Sequence, residues 1–307
     1  MGGAARYATE LNGYLRRHAR DDIKVIGTGR HLTAAWLAAR EASAARRGRR
    51  IALNNVGFVT PGGERWTLIA NALHFLTADE TAALHPQLRA TAARQASVVH
   101  RAARRSDVVV APCTAMAERI AGALPDVAGR LAVRMHPITS VPARPATGSL
   151  ILCPVLFSPY KHMPERIADW LAVTEGAMDD SVRLIVTAGT AEVPAALAAS
   201  PRLHFVGRLS VEHVAKLWDQ CRAVYFPTSL ESFGYPLAEA RTRGRPVIAV
   251  DTPQNREIAG QALRGYTAGD GDSLRCAIEA ALATSTAPDP GPFDPDAYFD
   301  WMLGGGR

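Results

Sequence analysis

Lysine is almost missing from this chain: Lys24, Lys161 and Lys216 are the only three in 307 residues, so the net charge of +6 is carried by arginine. That excess reads as compositional bias, and with no aromatic-interleaved platform or helix-turn-helix pattern beside it, nucleic acid is not an expected partner. Cysteine is scarce as well. Cys113, Cys153, Cys221 and Cys276 have no paired ligand spacing, so neither disulfides nor a zinc site is expected, and all four read as small buried hydrophobes. No uninterrupted apolar run approaches the roughly 20 residues of a membrane-spanning helix. The first residues do not read as a signal peptide, so a cytoplasmic protein is expected. What is present, a 48% hydrophobic composition over this length, suits two packed domains of about 150 residues each.

One stretch, CRAVYFPTSLESFGYPLAEARTRGRPVIAVDTP at 221–253, combines strand, loop, helix and strand. Residues 223–227 form a β-branched and aromatic run suited to a buried parallel strand, and 229–235 are polar and glycine-containing. Pro236 fits the first helical position, Glu239 lies in the first turns, and Gly244 with Pro246 stops the helix before the strand at 247–250. The backbone N–H groups of Phe233, Gly234 and Tyr235 would then face the mouth of the loop, where a phosphate is welcome. Glu231 and Glu239 flank that turn, and a carboxylate that accepts two hydrogen bonds suits vicinal sugar hydroxyls.

The run ESFGYPLAEA at 231–240 closely resembles the signature of retaining, nucleotide-sugar-dependent glycosyltransferases of family 4. Looser likeness extends over most of the chain. The resemblance implies an α/β protein of the GT-B type, with two facing Rossmann-like, doubly wound parallel-sheet domains. It implies that Glu231 holds the donor sugar, Glu239 the ribose, and the turn through Pro236 and Leu237 the diphosphate. Lys161, in FSPYKHMPERI at 157–167, falls where the family has a phosphate-binding lysine, but the arginine that precedes it there is replaced by the apolar Val155 or its neighbours. Gly207 and Arg208 correspond to contacts with the nucleotide base. Gly2 and Gly3 correspond to a pair that follows the first strand and lets a substrate approach the backbone.

In chain order, a helix with Tyr7, Leu11 and Leu15 inward is expected over 4–19, a strand at 23–26, a helix at 31–47 with Leu32, Trp36 and Leu37 inward, and strands at 51–53, 66–70, 107–111 and 131–136. Asn71 and His74, at the carboxyl end of the 66–70 strand, are candidate acceptor-binding residues. A long helix at 86–104 precedes the run SDVVVAPCTAMAERI, and a Pro- and Ala-rich linker covers 139–149. The second half is expected to hold strands at 150–156, 183–188 and 204–206, helices at 211–221 and 269–282, and a terminal helix at 296–303. The domains expected are 1–143 for the acceptor, 144–290 for the nucleotide sugar, and 291–307 crossing back to the first. The family's first strand is absent ahead of Gly2-Gly3. Because that strand is central in a doubly wound sheet, the expectation is a gap beside the 23–26 strand and further residues upstream that fill it.

Two basic clusters, Arg46-Arg47-Arg49-Arg50 and Arg101-Arg104-Arg105, are expected at helix C-termini, where cations are favourable; contact with anionic lipid at the inner membrane face is the sharper alternative. The pairs Asp270/Asp272 and Asp294/Asp296 have metal-motif spacing but lie in Gly- and Pro-rich loops, so no metal and no resident cofactor is expected. The function implied is transfer of a sugar from a nucleoside-diphosphate donor to a saccharide, lipid-linked or small-molecule acceptor. A sugar-nucleotide epimerase or phosphorylase on this fold, or a catalytically weak sugar-nucleotide-binding subunit, remain open beside it.

Overall fold

The computed structural model describes residues 3–30, 32–44, 48–141 and 148–304, which form two compact units. One comprises residues 3–137 together with the chain from 295 onward, and the other residues 138–294.

The first unit contains helix α1 (Gly3–Arg17), α2 (Ala34–Ser43), β1 (Arg49–Ala52), β2 (Glu64–Leu68), α3 (Ala78–Ala83), α4 (Pro86–Arg104), β3 (Val108–Ala111), α5 (Thr114–Ala123) and β4 (Leu131–Val133). Its strands are all parallel and pair in the order β1-β2-β3-β4, with Trp66 opposite Ile51 and Val108. Side chains alternate across the sheet. Trp66 and Leu68, with Val110, meet Tyr7, Leu11 and Tyr14 of α1 and Tyr298, Phe299 and Met302 of the last helix. On the opposite face Thr67 bonds the Ser106 hydroxyl at 2.6 Å.

Three expectations for this unit need correction. Residues 23–26 form no strand: Val25 is 43% and Ile26 36% exposed, between a turn at 21–22 and Gly27 at φ +81°. A short apolar run becomes a strand only where another strand takes up its backbone groups, and among the described residues none pairs with this one. The anticipated gap disappears with it, since the four described strands pair in sequence order. Helix α2 begins after an N-cap at Thr33, not at 31, and Leu32 is 49% exposed. It is held by Arg40, buried, which donates to the carbonyls of Val56 and Gly57 and lies 4.3 Å over the Phe58 ring.

Arg49 and Arg50 do not end a helix; they open β1. Arg49 pairs with Glu64 and stacks 4.3 Å over Trp66, while Arg50, buried, donates to Thr60 and to the Gly62 carbonyl. Arg46 and Arg47 lie outside the described residues. Arg104 pairs with Asp126, and Arg105 donates to the Val59 carbonyl. These four guanidinium groups make contacts within the unit.

The second unit contains β5 (Leu150–Cys153), α6 (Met163–Thr174), β6 (Arg183–Val186), α7 (Ala195–Ala198), β7 (Leu203–Phe205), α8 (Val211–Gln220), β8 (Ala223–Phe226), α9 (Tyr235–Thr242), β9 (Val247–Val250), α10 (Pro253–Ala259), β10 (Leu263–Tyr266) and α11 (Gly271–Ala283); α12 (Pro295–Leu303) belongs to the first unit. The sheet is parallel throughout, in the order β10-β9-β8-β5-β6-β7. Every residue of β8 and β9 is buried, which is why both read as unbroken apolar runs, as strands covered on both faces do. Cys113, Cys153 and Cys221 are buried, whereas Cys276 is exposed on α11, so the reading of all four as core hydrophobes fails there. Among the described residues no helix is long and apolar enough to cross a membrane.

Candidate functional site

The sheet of the second unit runs in two directions from its middle. From β5 the chain proceeds outward to β6 and β7, and from β8 to β9 and β10, while β5 and β8 themselves pair through Ile151 with Ala223 and Leu152 with Val224. The loops leaving the carboxyl ends of these two neighbours must therefore part, and such a switch point is where open α/β sheets bind ligands. Lys161 lies in the loop after β5 and Glu231 in the loop after β8.

Across that crevice Lys161 Nζ donates to Glu231 Oε1 at 2.6 Å, the lysine side chain 11% and the glutamate side chain 17% exposed. The chain reaches Lys161 through a single 3-10 turn, Pro159–Lys161. His162 follows in the left-handed region at φ +49° and stands at the N-cap of α6 without a side-chain cap. The Tyr160 ring centroid lies 5.9 Å from the ammonium, within cation–π reach. Burial pushes the Tyr160 hydroxyl up to about 12, and the nearby Glu231 charge adds to the effect.

On the β8 side, Phe233 is fully covered, set edge-on to Tyr235 at 5.2 Å and to Phe293 at 6.3 Å. Gly234 turns the chain into α9 at φ +83°, and Leu237 donates its amide back to the Gly234 carbonyl at 2.9 Å. Helix α9 starts at Tyr235, so Pro236 stands second in it and costs no ladder bond. Leu237 is buried, and so is Glu239 at 7% exposed, which removes it from the ordinary class of solvated helical glutamates. Gly244 ends the turn that follows at φ +63°, where a Cβ would meet the Thr286 carbonyl oxygen at 2.4 Å. Gly234→Ala is expected to destabilise this unit by about 1–3 kcal/mol, because alanine is strained in the left-handed region. Its Cβ would also stand 3.1 Å from Leu237 Cδ1 and 3.3 Å from the Phe226 ring. An unchanged melting temperature in a thermal scan would contradict that role for the turn.

Two further residues at the crevice were not singled out from the sequence. Tyr160 could have been noticed as the aromatic neighbour of Lys161. Thr228, just beyond β8, is 3% exposed and its hydroxyl has no hydrogen-bond partner among the described residues; a polar residue closing an apolar run was the available signal.

The remaining candidates make contacts of their own. Gly207, at φ +68°, and the exposed Arg208 follow β7, two strands away from β5 on the same carboxyl edge. In the first unit, the Asn71 side chain accepts from the Leu73 amide and caps a 3-10 turn. His74 is buried, its Nε2 3.3 Å from Gln95 Oε1, and burial holds its imidazole below the ordinary value, with His100 adding to the shift and Gln95 opposing it. Gly3 is the first residue of α1, and Gly2 lies outside the described residues. Asp270 caps α11, Asp272 pairs with Arg275, and Asp296 pairs with Arg17. Among the described residues no three His, Cys, Asp or Glu side chains gather as a metal site.

Comparison with known proteins falls on the same segment. Residues 193–288 match the family Glycosyl transferases group 1. A curated relative, the serotype-specific mannosyltransferase WbdA of Escherichia coli, is 37% identical over 83 residues, 27% of this chain and 10% of its own length. The chain thus spans about a tenth of the curated relatives it matches. Among solved structures, WaaG, a glycosyltransferase involved in lipopolysaccharide biosynthesis, superposes with a TM-score of 0.68 at 15% identity, over 99% of this chain and 97% of that one. Anabaena Alr3699/HepE, solved in complex with UDP and glucose, gives a TM-score of 0.57 at 17% identity over 78% and 70% of the two chains. The fold is the GT-B fold.

Proposed function

We propose that this protein is a retaining glycosyltransferase that moves a sugar from a nucleoside-diphosphate donor to an acceptor without a metal ion. The observation that carries this reading is the pairing of Lys161 with Glu231 at 2.6 Å across the switch point, beside the turn into α9. An ammonium suits the leaving diphosphate, and a carboxylate suits sugar hydroxyls. A ligand in the crevice would meet both groups. The backbone around Gly234 and the dipole of α9 add partial positive charge at the same end. Lys161 and this helix end would stabilise charge on the departing diphosphate, and a leaving phosphate oxygen would take the acceptor proton, so no separate general base is assigned. Supporting the reading, residues 193–288 match a glycosyltransferase family and a structure of the same fold holds UDP and glucose. Glu239, buried in α9, is assigned to the ribose, Gly207 and Arg208 to the base, and the first unit to the acceptor.

The two glutamates separate under mutation. Glu231→Ala is expected chiefly to lower kcat, through a misplaced sugar, and Glu239→Ala chiefly to weaken nucleotide binding. Each effect corresponds to one charge-assisted bond pair, about 1.5–3 kcal/mol or roughly 10- to 150-fold. Wild-type kinetics from both variants with the cognate donor would remove the assignment. NMR of the product should give the donor's anomeric configuration, and activity should survive a chelator; an inverted product, or activity restored by added manganese, would count against the mechanism.

A further inference from the structure

In the crevice each half of the site already serves as the ligand of the other. Lys161 is the cation assigned above to the diphosphate, and its charge is answered at 2.6 Å by Glu231, the same group assigned to the sugar. The Tyr160 ring, 5.9 Å from the ammonium, helps to hold it there. An incoming diphosphate must take the ammonium from Glu231. Until the bridge opens, it also meets that carboxylate as a like charge. An intact nucleotide sugar offers both halves a replacement, phosphate oxygens for Lys161 and hydroxyl donors for Glu231. A nucleoside diphosphate offers only the first and leaves the carboxylate of the largely covered Glu231 side chain facing its own negative charge.

We propose that the Lys161–Glu231 bridge is an internal competitor of the diphosphate, one that discriminates against the bare nucleoside diphosphate and so favours product release. This rests on the reading of the crevice as a donor site. Glu231 thereby has a second role, as the group that reclaims Lys161 once the sugar has left.

The test is a gain of affinity, which a merely structural role would not produce. Calorimetric titration of UDP, GDP, ADP and inorganic diphosphate into the full chain should give tighter binding to Glu231→Gln than to wild type. The expected gain is roughly 5- to 30-fold for the best ligand, the size of one partly buried ion pair. The same variant should lose turnover. Glu231→Ala, which cannot form a substitute hydrogen bond to Lys161, should show the same gain, and Lys161→Met should lose diphosphate binding. Equal or weaker binding to both Glu231 variants, where wild type binds one of the four ligands, would overturn the competitor role and leave the donor-site reading intact. Failure of wild type and both Glu231 variants to bind any of the four would overturn the donor-site reading and the inference with it.

Discussion

Lys161→Ala is expected to lower kcat by roughly 100- to 1000-fold with the cognate nucleotide sugar, the range seen when one preorganised charge stabiliser is removed from an active site. The reason lies in how little cation the crevice offers. Lysine is rare in the chain, and Val155, which with its neighbours stands where the resemblance leads one to expect an arginine, is apolar and buried. The start of α9 would remain to face the leaving diphosphate, and a helix end is equivalent to about half a charge. The loss of stability should be smaller than the loss of turnover: the pair is partly buried, and losing it costs about 1–2 kcal/mol. Lys161→Arg should fall between, since it keeps the charge but not the compact ammonium geometry. Single-turnover kinetics at saturating donor, with melting curves for all three proteins, make the comparison. Wild-type kcat in the alanine variant would remove Lys161 from the chemistry.

The largest expected loss of stability comes from Phe299→Ala in α12. Phe299 is fully buried, its ring 5.7 Å from Tyr7, 5.3 Å from Tyr14 and 5.2 Å from Tyr298. Its removal leaves a cavity that fixed rings on two helices cannot easily collapse into, and Phe→Ala changes of this type cost about 3–5 kcal/mol. The polar contacts around it, Tyr14 to Asp300 at 2.5 Å and Arg17 to Asp296 at 2.6 Å, depend on the same helix pairing. Because the chain has two compact units, one melting temperature is not an adequate readout. Amide exchange in α1 and α12 should accelerate sharply, while exchange in β8 and β9 and nucleotide binding by residues 138–294 should hold. Unchanged protection of α1 would mean that the last helix does not anchor the first.

How much of this was legible in the sequence varies with the range of the interaction responsible. The buried runs AVYF and VIAV, the glycine at the start of α9 and the glycine beyond its end could be read locally, because burial on both faces and left-handed backbone each restrict residue type at a single position. That is also why residues 221–253 carry the resemblance to glycosyltransferases. The IKVI run at 23–26 misled for the complementary reason: strand formation needs a partner, and local hydrophobicity says nothing about whether one is present. Arg49 and Arg50 read as helix-end cations and proved to be the start of a strand, held by Trp66, Glu64 and the 60–62 loop, which no local pattern specifies.

By itself, then, the sequence determined the fold class, the strand–turn–helix that presents Glu231 and Glu239, and Lys161 as the candidate cation. The tertiary structure alone decided that Lys161 and Glu231, 70 residues apart, meet at 2.6 Å. The physical reason is topological: β5 and β8 are neighbours only because the sheet reverses direction between them, and that reversal depends on the pairing of whole strands, not on any residue near the site.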